Sequence, residues 1–437
     1  MTATQTDLYA VRTAAGCLRR GMTEPATFSL FARRLPPQRG FLVSAGLVDC
    51  LGFLEGFRFE EGELTGLRES GGLAQSDVDA LAGLRFDGDV WAAPEGCLVF
   101  ADEPLLEVTA PLPQAQLVGT ALLNTVSFQA TVATKAARCR IAAGGAELVD
   151  FAARRTHGFD AATAVARVCA MVGFAGTSQV GAVQRFGLAP LSTMTHSYVQ
   201  AFGDEQAAFR AYAHDFPDSV MFLVDTNDTL AGVRAAVEVA MALGLPDGGF
   251  GVRFAAGDLL LLAQETRKLL DEAGFVQARI MVSGGLDEYE LARLTAAQAP
   301  IDSYGVGVKL GVSADAPPTE TAYELVEYAG RPIAQHVPGK ETLPGAKQVY
   351  RRASGDPDVL ALRDEPSPKG CRPVLSQVMR AGRRLRGKHR LDEARDRFER
   401  DLLWLPRSAR RLRNPEPVRV RVSEPLRELS ERLGAGH

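Results

Sequence analysis

The sequence predicts an α/β protein, an irregular α/β barrel combined with a discontinuous α+β N-terminal domain. Three observations carry this expectation. From about Glu147 to Gly311, short apolar runs alternate with amphipathic stretches in units of roughly 25 to 35 residues, the rhythm of parallel strands joined by right-handed helical crossovers. The chain up to about Thr109 lacks that rhythm and holds isolated β-rich runs. After Gly311 it turns irregular and Pro-rich, with two more strand-like runs that return to the first domain. The expected boundaries are 1–115 for the α+β domain, about 312–360 for its returning segment, 116–311 for the barrel and 361–437 for a basic helical C-terminal segment.

Composition bounds the rest. A chain of 437 residues with 46% hydrophobic content is long enough for two or three domains and a substantial core. A formal net charge of −4 argues against general affinity for nucleic acid. The first residues, "MTATQTDLYAVRTAAG", lack a basic segment followed by a long apolar core, and no stretch approaches the ~20 apolar residues of a membrane span, so a cytoplasmic protein is expected. Cys17, Cys50, Cys97, Cys139, Cys169 and Cys371 are scattered with no CxxC pair, which reads as free, mostly buried thiols.

Taken in order, "ATFSLFARRLP" reads as a strand and loop, and "GCLVFADEPLLEVTAPL" as two short β runs parted by Asp102, Glu103 and Pro104 in a hairpin or turn. "LVGTALLNTVSFQATVATKAARCRIAAGG" reads as a long helix leading into the barrel. There the strand candidates are "ELVDFAARR", "LAPLSTMTH", "SVMFLVDTND", "GFGVRFAAGD", "ARIMVSGG" and "IDSYGVGVKLGV". A helix from about Ser197 to His214 follows the second, and one with Leu230, Val233, Val237 and Met241 at helical spacing follows the third. "TAYELVEYAG" and "AKQVYRRASG" are the returning strands. From Met379 to Asn414 thirteen Lys or Arg face five Asp or Glu, interleaved as on a solvated helix; binding to nucleic acid or an acidic surface is the other reading.

A parallel barrel gathers its strand ends on one rim. Here that rim collects Arg154 and Arg155, His196, Asp225 and Asp228, Arg253 and Asp258, then Ser283, Gly284, Gly285 and Asp287, and Gly305 with Gly307. Glycines at strand ends let backbone N–H groups approach an anion, and a helix starting near Leu286 adds its positive end, so Gly284, Gly285, Gly305 and Gly307 form a candidate phosphate site. Asp225 and Asp287 are candidates for ribose hydroxyls or a magnesium ion; helix capping is the alternative for Asp228 and Asp258. His196, set beside an anion site and a carboxylate, is placed to act as a nucleophile or base.

These segments resemble the nicotinate phosphoribosyltransferases, relatives of nicotinamide phosphoribosyltransferase. The resemblance runs from "TDLY" through "FEEGELTGL", "FADEPLLEV", "ALLNTVSFQATVATKAAR", "DFAARRTHG", "FAGTSQV", "STMTHS", "LVDTNDTL", "GVR", "GVGVKL" and "LPGAKQVYR" to the closing "LPRSARRLRNPEPVRVRVSEPLRELSERL". It implies the irregular barrel of the type II phosphoribosyltransferases and a reaction of NAD salvage. Nicotinate and 5-phosphoribosyl 1-pyrophosphate give nicotinate mononucleotide and pyrophosphate, with Mg²⁺ present and ATP hydrolysed as co-substrate.

By the same resemblance His196 would be phosphorylated by ATP and Asp225 would orient its ring. Phe151 and Tyr9 would sandwich the pyridine, Tyr9 coming from the second subunit of a head-to-tail homodimer. Arg154 and Arg253 would face carboxylate and phosphate groups, and Ser178 stands where nicotinamide-using relatives carry an acidic residue. The chain departs from the pattern at Ala255 and Ala256 in "RFAAGD" for "RLDSGD", at "SGG" for "SND", at Val308 in "GVGV" for "GVGT", and at Gln179 in "GTSQ" for "GTSN". A transferase of altered specificity, or a weakened homologue that binds ligand, is the alternative those changes leave open.

Overall fold

The computed structural model describes residues 2–352, 356–385 and 390–434. The chain folds as two compact units, Met1–Thr134 with Pro318–His437, and Lys135–Pro317. The boundary lies within a single 31-residue helix, Leu112–Ala142, and not at residue 115. The physical reason is local: Ala115, Leu117, Val118, Leu122 and Val126 of its first turns are buried in the core of the first unit. Its last turns belong to the second unit, where Lys135 and Arg138 pair with the fully buried Glu288.

The first unit is built on a seven-stranded sheet in which Pro25–Ala32 lies between Thr321–Tyr328 and Pro104–Pro111, antiparallel to both. Its pattern of one exposed residue followed by seven buried ones marks a strand covered on both faces. The returning strand Thr321–Tyr328 therefore completes the domain begun by the N-terminus. The two β runs after Gly96 do not form a hairpin with each other. Leu98–Val99 pairs with Leu42–Val43, while Pro104–Pro111 enters the large sheet between Pro25–Ala32 and Asp89–Ala92. The connection is a tight turn in which Asp102 has φ 65° and the Phe100 N–H is held by Glu103 Oε2 at 2.9 Å.

The C-terminal stretch also differs from a plain helical tail. Helices Leu391–Trp404 and Glu424–Gly434 are present, but Cys371–Pro373 and Val420–Val422 are strands of a second sheet with Lys347–Arg352 and Asp358–Leu362, and Ser376–Arg380 joins the large one. A buried charge ties these pieces together. Arg351 is 1% exposed, lies 2.6 Å from Asp358 and 2.8 Å from Asp401, donates to Leu98 O at 2.8 Å, and packs under the Trp404 ring. Burial of a guanidinium demands such partners, and a charge count along the sequence does not reveal them.

The second unit carries six parallel strands: Glu147–Asp150, Gly176–Thr177, Met221–Leu223, Gly251–Phe254, Arg279–Ser283 and Ser303–Val306. The last pairs with the first, and Thr177 forms a further parallel bridge to Pro190. Chain order is thus cyclic around the sheet, as in a barrel, and the ladder is interrupted only between the Pro190 stretch and Met221–Leu223 among the described residues. The helix expected at 197–214 is two, His196–Phe202 and Glu205–Asp215. Gly203 at φ 70° ends the first and the Asp204 carboxylate caps the second. Asp228 and Asp258 are helix caps as well, accepting from Ala231 N at 2.8 Å and Leu260 N at 3.2 Å. Cys17, Cys50, Cys97, Cys139 and Cys169 are buried and free, and Cys371 is free and half-buried. Among the described residues no helix is long and apolar enough to cross a membrane.

Candidate active site

His196 stands at the interruption in the barrel ladder. After the Pro190 bridge the chain runs without regular structure to Thr195, whose hydroxyl caps the helix that starts on His196. The imidazole is half exposed, with Nδ1 3.2 Å from Thr226 Oγ1 and Nε2 3.8 Å from Asp225 Oδ1. The latter distance is too long for a hydrogen bond, yet it fits a catalytic pair that tightens with substrate. Asp225 sits just past the strand Met221–Leu223 with its side chain 4% exposed. Its Oδ2 accepts from Ala255 N at 2.7 Å, while Oδ1, the atom facing His196, is buried without a hydrogen-bond partner among the described residues. Glu205 is a further acid within electrostatic reach of Asp225. Burial first, then the charges of Asp204, Asp225 and Asp228, push its carboxyl above the usual range.

The barrel strands themselves carry the cations, Arg253 within Gly251–Phe254 and Arg154 just after Glu147–Asp150. The Arg253 guanidinium lies 4.9 Å from the centre of the Phe151 ring, donates from Nε and Nη2 to Ser283 Oγ at 3.2 Å, and from Nη1 to Thr193 Oγ1. Burial lowers its pKa, Asp225 works the other way, and the charge of Arg154 adds to the lowering. Two guanidinium groups within electrostatic reach of each other are a receptor for an anion. Arg154 itself is exposed, on the 3-10 turn Ala153–Arg155.

The four candidate glycines divide. A Cβ on Gly305 would lie 2.5 Å from the Phe151 ring, one on Gly307 2.9 Å from Phe151 O, and one on Gly284, at φ 88°, 2.0 Å from Ala255 O. These three allow close packing, and two of them seat Phe151. Gly285, at φ 65°, faces open space. Asp287 is occupied locally: Oδ1 caps the helix Glu288–Ala296 through Tyr289 N and Glu290 N, and Oδ2 lies 2.7 Å from Lys309 Nζ. Lys309, half exposed at the next strand end, is a cation that spacing in the sequence did not single out. Asp150 was missed too. It is buried, held by Thr177 Oγ1 at 2.7 Å and Ala152 N at 2.9 Å, and anchors through its carbonyl the exposed Ser178, whose N–H is 3.1 Å away. In the other unit Tyr9 projects from the helix Leu8–Arg19 with 65% of its surface exposed.

Three family models match this chain: the nicotinate phosphoribosyltransferase N-terminal domain over residues 4–127, the nicotinate phosphoribosyltransferase family over 146–295 and the C-terminal domain over 362–430. It is 45% identical to nicotinate phosphoribosyltransferase pncB2 of Mycobacterium tuberculosis over 412 residues, covering 93% of this chain and 88% of that protein. The chain belongs to the nicotinate phosphoribosyltransferase family. The nicotinate phosphoribosyltransferase of Bacillus subtilis is 41% identical over 373 residues, 82% of this chain and 76% of that protein. The crystal structure of human nicotinic acid phosphoribosyltransferase superposes with a TM-score of 0.86 at 29% identity, covering 98% of this chain and 99% of that one. The irregular α/β barrel is therefore the family's fold. At the first alanine of "RFAAGD", Ala255 fixes Asp225 through its backbone N–H, a contact that does not depend on the side chain.

Proposed function

We infer that this protein is a nicotinate phosphoribosyltransferase of NAD salvage, forming nicotinate mononucleotide and pyrophosphate from nicotinate and 5-phosphoribosyl 1-pyrophosphate. The observation that carries the reading is the pairing of Arg253 with Phe151, a guanidinium beside an aromatic face, which suits a flat ring bearing a carboxylate. The ring nitrogen forms its bond to the anomeric carbon as the C–O bond to pyrophosphate breaks, and the leaving group departs with that electron pair. Such a step needs alignment and charge stabilisation more than a protein nucleophile. The exposed Arg154 and Arg155 and the half-exposed Lys309, which would leave Asp287, are the cations for the phosphates, and Gly285 offers an open backbone position.

ATP enters through His196. With Asp225 nearer Nε2, a ring proton there leaves the lone pair on Nδ1, which gives up its contact with Thr226 Oγ1 to attack the γ-phosphate, releasing ADP; water then cleaves the phosphohistidine. Of the two carboxylates offered for Mg²⁺, Asp287 is engaged by its helix and Lys309, and Asp225 keeps one oxygen without a hydrogen-bond partner among the described residues. Among the described residues no group of three or more His, Cys, Asp or Glu gathers to hold a metal. Donor phosphate oxygens would therefore be the main ligands of the ion, as is usual for Mg²⁺. Retention of His196, Asp225 and Arg253 favours an active enzyme over a weakened ligand-binding homologue. The working form is proposed to be a cytoplasmic homodimer.

The direct test is product formation from nicotinate, phosphoribosyl pyrophosphate, Mg²⁺ and ATP. With nicotinamide in place of nicotinate, kcat/KM should fall at least a hundredfold, since Ser178 offers no acid to the amide and Arg253 loses its anion. Equal turnover of the two rings would refute the assignment of Arg253. A second expectation concerns Tyr9: inactive Tyr9→Ala and Arg154→Ala proteins, mixed under subunit exchange, should recover part of the wild-type rate. Mixed dimers that stay inactive would mean that each site is complete within one chain.

A further inference from the structure

Arg253 is held more tightly than recognition of one anion requires. The register Met281↔Arg253 sets these residues side by side, and because alternate strand residues share a face, Ser283 projects on the same face one step nearer the rim. On its other side Ser283 pairs with Gly305, whose missing Cβ leaves the space filled by the Phe151 ring. A Cβ on Gly305 would lie 3.1 Å from that of Ser283. Ser283 is 3% exposed, with its hydroxyl at the edge of the cation that lies over the Phe151 ring.

The contacts fall on particular edges of the guanidinium. Nε and Nη2, which form its side-on edge, both point to Ser283 Oγ at 3.2 Å. Nη1 donates to Thr193 Oγ1. Nη1 and Nη2 each keep one N–H beyond these bonds, donors that can be offered to a carboxylate, which guanidinium binds through parallel hydrogen bonds. An unrestrained arginine would present any edge and would lose rotamer freedom on binding. A carboxamide in the same place would offer one acceptor and set an N–H donor against another donor.

We propose that Ser283 is a positioning residue for substrate recognition: by accepting from Nε and Nη2 it fixes Arg253 over Phe151 with the remaining N–H of Nη1 and of Nη2 offered to the ring carboxylate, and so sets the preference for carboxylate over carboxamide. This rests on the assignment of Arg253 to the nicotinate carboxylate given above. The loss on removing Ser283 falls on affinity for nicotinate, not on the ribosyl donor, because the hydroxyl acts only through Arg253.

The test compares Ser283→Ala, Ser283→Cys, Ser283→Thr and Arg253→Lys in the full-length enzyme, with nicotinate, nicotinamide and the donor varied separately. Ser283→Ala and Ser283→Cys should raise KM for nicotinate about tenfold, the size expected for losing a hydrogen bond to a charged group. They should change kcat and the donor KM less than that, and should narrow the gap between nicotinate and nicotinamide. Ser283→Thr, which keeps the hydroxyl, should restore most of the loss. The cysteine variant keeps the volume and covers the case in which the alanine variant is unstable. If Arg253→Lys raises the nicotinate KM while neither Ser283 variant does, the inference about Ser283 is wrong and the assignment of Arg253 stands. If Arg253→Lys leaves that KM unchanged, the assignment beneath it fails. Equal increases in the nicotinate and donor KM, unrelieved by threonine, would reduce Ser283 to a packing residue and overturn the proposal.

Discussion

His196→Ala should abolish ATP hydrolysis and all stimulation by ATP while leaving slow, ATP-independent synthesis of the mononucleotide. The imidazole is half exposed at the gap in the barrel ladder, touches Thr226, and faces a carboxylate oxygen of Asp225 that has no hydrogen-bond partner among the described residues. The contacts that would hold the ring substrate come from Phe151 and from Arg253 on another strand, so they survive the substitution. The expected result is a kinetic separation: the ATP-dependent part of the rate disappears and the nicotinate KM measured without ATP stays near the wild-type value. Asp225→Asn should weaken the same step by removing the charge that favours a proton on Nε2, and it keeps an oxygen for the Ala255 N–H. Labelled ATP should leave acid-labile phosphate on the wild type and none on His196→Ala. A wild type that takes up no label and runs at one rate with and without ATP would dispose of the coupling role.

Asp401→Ala should destabilise the first unit by about 3 kcal/mol, whereas Asp396→Ala on the same helix should change stability by less than about 0.5 kcal/mol. The two carboxylates are five residues apart in a run that reads as uniformly solvated. Asp396 is exposed, but Asp401 accepts from Arg351 at 2.8 Å, from Arg372 at 3.1 Å and from the buried Leu98 N–H at 3.0 Å. Its removal strips a partner from a guanidinium that is 1% exposed and leaves a backbone donor unpaired, two costs that water cannot relieve. Urea denaturation of the two variants, followed through Trp404 beside Arg351, measures the difference. Equal midpoints would mean that the helix Leu391–Trp404 rests on the surface without supporting the core.

The sequence by itself determined the elements whose signals are local. Alternating apolar runs and helical stretches announced the parallel barrel, "TAYELVEY" announced the strand that closes the first domain, and the motifs around His196, Asp225, Arg154 and Arg253 named the residues of the candidate site. One local signal was present and misread, the Gly203-Asp204 pair that splits one helix into two; of the hairpin or turn expected at Asp102, the turn forms and sends its flanking strands to different sheets. The tertiary structure alone decided the contacts that depend on register between distant strands. Ser283 meets Arg253 because the fourth and fifth barrel strands align Met281 with Arg253, Lys309 takes an oxygen of Asp287 that looked free for ribose, and Gly305 yields its side-chain space to Phe151. The same holds for Arg351, whose partners come from residues 98, 358 and 401. Hydrophobic periodicity encodes which face of an element is buried; which polar atom meets which across that face is fixed only when the strands lock into register and each buried charge must find its counterpart.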